Sequence, residues 1–165
     1  MSRVRAVAQV ATPFVWFGMV AAISLLEAPL KFRAPGITTA LGLGIGRLVF
    51  QALNIAEFVL LAVLTVALLG TAIGRWRWVV TGGLWLVLLT QALVLRPLLD
   101  QRAQLIIDGG SPPESTLHLA YIALEGIKLV ALPALGIGLL LRLLPQPVGT
   151  PPAARPSVSV DRARS

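Results

Sequence analysis

The chain has 165 residues, 56% of them apolar and only 13% charged, a balance too greasy for a water-soluble domain that reads as one polytopic membrane domain. Its net charge of +7 would suggest nucleic acid in a soluble protein, but no basic run is interleaved with stacking aromatics, and basic residues beside apolar segments serve as topology signals and headgroup anchors, so no nucleic acid is expected. With no cysteine, disulfides, thiolate metal sites, iron-sulfur clusters and Cys nucleophiles are excluded.

Arg5 and Glu27 bracket an uncharged stretch, Ala6 to Leu26, long enough to cross a bilayer core at about 20 residues per helix, and the spacing predicts a first span over 6–30. A cleaved signal peptide is the rival reading, but its apolar region is usually about 7–15 residues and no small-x-small site follows. Gly42, Gly44 and Gly46 lack the strand and the Lys-Ser/Thr ending of a phosphate loop, and are read as the turn into a second span over 46–74. Glu57 is the only charge between Arg47 and Arg75. A third span is predicted over 77–97, with Trp76 and Trp78 at its start; these and Trp16 and Trp85 are read as an interfacial belt. Gly82 and Gly83, like Gly136 and Gly138, are read as close helix contacts. The fourth span is predicted over 111–144, opened by a capping box of Ser111 and Glu114, with Pro133 expected to kink it or free a carbonyl near its middle. Residues 145–165, rich in Pro, Ser and Arg, are expected to form a disordered basic tail. The expected fold is therefore an all-α bundle of four membrane-spanning helices.

Basic residues set the orientation. Arg3, Arg5, Arg75, Arg77, Arg142, Arg155, Arg162 and Arg164 stand on the side of the termini, against Lys31, Arg33, Arg47, Arg96 and Arg102 on the other. The excess predicts both termini in the cytoplasm, and the protein is read as integral to a bacterial cytoplasmic membrane.

An ionisable group at the depth of lipid tails costs at least about 2.5 kcal/mol, so Glu57, Glu125 and Lys128 inside the apolar runs need a partner, a protein interior or trapped water. At 100 degrees per residue, Glu114, His118, Tyr121, Glu125 and Lys128 fall within an arc of about 80 degrees on the fourth span. Arg47, Gln51, Asn54 and Glu57 share a face of the second span, with Thr65 continuing it. Topology makes these two spans parallel and places Glu27, Lys31, Arg33 and Arg96 at the same side. The pattern predicts a polar pocket open to the face of the two longer loops, with Glu57 and Glu125 as a titratable pair. Arg47 and Lys128 would be their counter-charges or anion contacts, and His118 and Tyr121 the rim. Glu27 and Lys31 form an i,i+4 pair.

A purely structural set of ion pairs accounts for the same residues, and is the competing reading. His118, the only histidine, is better read as an interfacial hydrogen-bonding residue than as a proton carrier or ligand. A metal site of Glu57, His118 and Glu125 is opposed by the neighbouring cations, and a single histidine excludes bis-histidine haem ligation. No metal and no cofactor is predicted; an anionic or zwitterionic ligand, or protons, fit the basic surplus better.

The segment LEAPLKFRAPG followed by GIGRLVFQALNIAEFVLL resembles small four-span bacterial membrane proteins of unknown function, whose second helix opens with Gly-Arg-x-x-Phe, here Gly46, Arg47 and Phe50. His118, early in the last span, is similar too. The resemblance implies a four-helix bundle and no activity. The chain is more distantly similar to the haem-linked four-span oxidase of porphyrin synthesis, from which it departs in having no first-span histidine. Three functions are carried forward: a small binding or transport protein, an enzyme acting on a lipid or quinone-like substrate with Glu125 or His118 as acid or base, and an accessory subunit. The lipid bilayer is the expected partner, with a homo-oligomer or a larger membrane complex left open.

Overall fold

The computed structural model describes residues 2–71 and 74–144, and the segment expected to be a disordered tail lies outside them. Four helices are long and apolar enough to cross a membrane: α1 Arg3–Arg33, α2 Thr39–Leu68, α3 Arg75–Ile107 and α4 Leu117–Leu143. No strand occurs among the described residues. Helix α1 packs along both α2 and α4, and α3 packs against the same two, so α2 and α4 face each other across the bundle.

Local chemistry sets the ends of these helices. The Ser2 hydroxyl accepts from the Arg5 amide and the Thr38 hydroxyl from the Leu41 amide, so both α1 and α2 start on a side-chain cap. Helix α2 therefore begins at Thr39, a full two turns before the expected position, and Gly42 and Gly46 lie within it. They are glycines because the loop from α1 folds back on them. The Phe32 ring covers Gly42, leaving no room for a Cβ, and the flexible Lys31 ammonium rests over Gly46. Helix α3 runs on to Ile107, beyond the expected 97, and stops where Gly109 turns at φ 87° and Gly110 donates back to the Leu105 carbonyl at 2.8 Å.

Helix α4 starts at Leu117, and the capping box expected at Ser111 does not form. Each Pro of the Pro112-Pro113 pair disfavours helical backbone in the residue before it, and Arg102 holds the segment by donating to the Pro113 carbonyl. Glu114 is consequently exposed and lies outside the helical stripe assigned to it. The helix assignment continues unbroken through Pro133.

Helices α1 and α3 each contain a widened π turn, over Ala22–Glu27 and Gln91–Leu95. Each comes just before a proline, Pro29 and Pro97. A proline ring crowds the carbonyl four residues back and offers no N–H, and one extra residue in the turn relieves both problems. The interval from Pro29 to Pro97 equals that from Glu57 to Glu125. The same interval carries buried Pro13, Trp16 and Val20 onto buried Thr81, Leu84 and Leu88. It also carries Leu53, Leu64 and Leu68 onto Tyr121, Leu132 and Gly136, all buried. The hairpins α1–α2 and α3–α4 thus bury the same register, the pattern of a parallel internal repeat.

The core fills the end of the bundle that carries the α2–α3 connection, with Trp16, Val20, Leu61, Leu64, Leu68, Leu84, Leu88, Leu132, Leu135 and Leu139 packed together. There α1 and α4 approach closely, and a Cβ at Gly136 would stand 2.9 Å from the Phe14 ring. Gly138 is likewise covered by the Trp76 ring, whereas Gly82 and Gly83 have open space where a Cβ would sit and make no such contact.

Leu132→Ala, at a position with no exposed surface, is expected to lower stability by about 2–5 kcal/mol. Leu86→Ala, on the outer surface at 68% exposure, should change it by less than about 0.5 kcal/mol. Unfolding in detergent micelles measures both, and equal losses would contradict this core.

Candidate functional site

At mid-bundle the Lys128 ammonium of α4 lies between two carboxylates. It contacts Glu57 Oε1 of α2 and stands 2.9 Å from Glu125 Oε1, one turn back on its own helix. Glu57 and Lys128 have no exposed surface and Glu125 has 4%. A buried ion needs every lone pair and proton occupied, and here neutral donors come from three helices. Trp16 Nε1 donates to Glu57 Oε1 at 2.8 Å, and Asn54 Nδ2 to Glu57 Oε2 at 3.0 Å. Gln91 Nε2 donates to Glu125 Oε1 at 3.0 Å, and the Ser24 hydroxyl to Glu125 Oε2 at 3.3 Å.

Ser24 belongs to the π turn of α1 and Gln91 to that of α3, so both widened turns aim a polar side chain at the same carboxylate. Two acids share one base. Fully ionised, the group carries one surplus negative charge in an apolar surrounding, which a bound proton on either carboxyl would remove. The Tyr121 hydroxyl, Asn54 Oδ1 and Gln91 Oε1, all buried, have no hydrogen-bond partner among the described residues. Of these residues Tyr121 lines the cavity, where its hydroxyl can meet a water or a ligand atom.

Above this group lies a cavity of about 600 Å³ at the end of the bundle carrying the α1–α2 and α3–α4 loops. All four helices wall it, and most of the wall is apolar, with Phe50, Leu99 and Leu129 among its residues. Of the three buried ions, Glu125 lines the cavity, as does Tyr121, while Glu57 and Lys128 lie behind them. The rim is charged. Arg47 Nε stands 3.5 Å from Asp100 Oδ1, and Arg96 Nε 3.7 Å from Asp100 Oδ2. Lys31 pairs with Glu27 at 3.3 Å and lies over the Phe32 and Phe50 rings. Three cations against two carboxylates leave the rim one positive charge in excess.

The residues expected from sequence thus divide into two groups. Glu57, Glu125, Lys128 and Asn54 meet in one network, with Tyr121 beside it. Arg47 does not pair with either central carboxylate; it pairs with Asp100 and donates to Gln104 Oε1 at 2.6 Å, because α3 extends far enough to bring both within reach. Glu57 falls just past the middle of α2 once that helix starts at Thr39, while Glu125 and Lys128 lie in the first half of α4. His118 lines the cavity but is exposed in the first turn of α4.

Trp16 is the largest revision. It is buried and hydrogen-bonded to Glu57 rather than part of a belt, and Trp85 also points inward, donating to the Thr65 hydroxyl at 3.1 Å. Trp76 and Trp78 are exposed at the start of α3, where a belt belongs. Ser24, Gln91 and Asp100 carry no charge pattern or motif that marks them in advance. For Ser24 and Gln91 the signal in the sequence is a polar residue followed within six positions by a proline in an apolar run.

Comparison with family models, curated proteins and solved structures finds no match to this chain. The resemblance of its first two spans therefore carries no argument about function.

Lys128→Met, which strands two buried carboxylates, is expected to cost about 3–5 kcal/mol of stability. Adding Glu57→Gln should recover at least about 1 kcal/mol, because the two positions act as one network. Unfolding of the single and double variants in detergent gives the coupling, and strictly additive losses would refute the network.

Proposed function

We propose that the chain is an integral membrane protein that binds, and in the membrane transports, a small anionic or zwitterionic ligand in a proton-linked manner. The observation that carries this reading is the position of Glu125. It lines the cavity and at the same time contacts the buried Lys128, so its protonation state is tied both to the cavity and to the charge balance of the bundle centre.

The rim supplies the attraction. Arg47 and Arg96, only partly neutralised by Asp100, present guanidinium donors whose planar geometry suits a carboxylate or phosphate. The floor supplies the coupling. An anion entering the cavity approaches Glu125, and a proton there removes a like charge, so binding takes up a proton and is tighter at lower pH. The sealed leucine core beneath the charges would keep the pocket open to one face only until the bundle rearranges. With both termini in the cytoplasm of a bacterial inner membrane, that face is the outer one.

The test is binding of inorganic phosphate and of glutamate to protein in lipid nanodiscs across a pH series. Affinity should rise about tenfold as Glu125 takes up its proton, on the order of one screened charge repulsion. Glu125→Gln should hold the tighter affinity at every pH while remaining folded. Binding that ignores pH in the unmodified protein, or no binding of either probe, removes the proposal.

A further inference from the structure

Two residues of the cavity wall belong to the outside of the bundle as well. Leu25 of α1 is 59% exposed and Ile122 of α4 is 51% exposed, yet both line the cavity. Between them Gly126 faces open space, with nothing within 4 Å of where its Cβ would stand. Nearer the closed end the same two helices touch, ring against glycine, at Phe14 and Gly136. On this side the cavity is lined from the π turn of α1, at Ser24 and Leu25, and along α4 from Ile122 to Leu129, with the Ser24 hydroxyl donating to Glu125 at the inner edge. On helices long and apolar enough to span a membrane, these residues stand at the level of lipid chains.

We infer that the cavity takes a single-chain anionic amphiphile that enters sideways from the bilayer between α1 and α4. This rests on the proposed anion site and names the class of molecule that fills it. The chemistry of the wall divides the ligand in two. An apolar surface gains from a hydrocarbon chain and offers nothing to a small hydrated anion beyond the rim. The rim gives the charge, with Arg47 and Arg96 flanking Asp100 and the Arg96 Nε lacking a hydrogen-bond partner among the described residues. An anionic head would sit between these guanidiniums, and its tail would lie past Phe50 toward Gly126 and Leu129. A cavity of about 600 Å³ lies inside the roughly 300–1,000 Å³ range of small-ligand sites. It is suited to one chain rather than the two of a phospholipid.

The experiment uses the full chain in phosphatidylcholine nanodiscs with photoreactive palmitate, its diazirine on the chain, and locates the adducts by mass spectrometry. Adducts concentrated on 24–29 and 122–129 are expected. Gly126→Leu, which fills the gap, and the charge-removing Arg47→Gln should each reduce them at least fivefold. Photoreactive hexadecylamine, with the same chain and the opposite charge, should label this region at least fivefold less. Equal labelling by acid and amine, or adducts spread evenly over outward residues such as Val59 and Leu86, would overturn the inference. So would loss of labelling when phosphatidylglycerol replaces the host lipid, which would identify a two-chain phospholipid as the occupant. If palmitate fails while phosphate and glutamate still bind, the amphiphile is wrong and the anion site stands. If none of the three binds, both fall.

Discussion

The structure depends on one ammonium held between two carboxylates in an apolar interior. Lys128 joins α4 to α2 across the middle of the bundle, where few other contacts connect those helices. Such a group tolerates little displacement, because moving any member away from its donors leaves a bare charge in a medium of low polarity. It therefore fixes the rotation of α2 and α4 about their own axes more firmly than leucine packing alone, which accepts similar shapes in several registers. Trp16 from α1 and Gln91 from α3 complete the set, so each of the four helices contributes a side chain to a single hydrogen-bonded cluster.

That cluster divides the molecule into two unlike ends. On one side Trp16 and Val20 of α1 close together with leucines of the other three helices, and Gln9 and Arg5 bind the Ala67 carbonyl near the end of α2 while Arg77 binds the Gly138 carbonyl near the end of α4. The donors Gln9 and Arg77 occupy matching places in the two hairpins. On the other side, two prolines and the π turns before them interrupt the regular helices, and the space left over is the cavity. The repeated register explains why one carboxylate comes from each hairpin at the same depth. The lysine breaks the repeat, since Leu60 stands where α2 would hold its equivalent. The asymmetry leaves Glu125 facing the cavity and Glu57 buried behind it.

Much of this was legible in the chain. Apolar runs of bilayer length, bounded by charge, specify four helices because backbone polar groups away from water must pair within their own segment. The cost of burying Glu57, Glu125 and Lys128 singles them out as groups that need partners, with Arg47 and Lys128 as the expected counter-charges, and a helical period places Asn54 and Tyr121 on the same faces. The helix ends were less legible. Glycine at 42 and 46 looks like a turn until the Phe32 and Lys31 side chains that cover it are known, and Ser111 with Glu114 looks like a cap until two prolines hold that segment extended.

What the sequence determined by itself was therefore the number of helices, their apolar exterior and the identity of the buried ions, since these follow from transfer costs and periodicity along one chain. What only the tertiary structure decided was which neutral donors serve which carboxylate, that Trp16 faces inward, that Arg47 answers Asp100, and that Glu125 lines the cavity while Glu57 does not. Those are contacts between residues distant in sequence. Their geometry is set by how far each helix extends and where it widens, which no spacing within a single segment records.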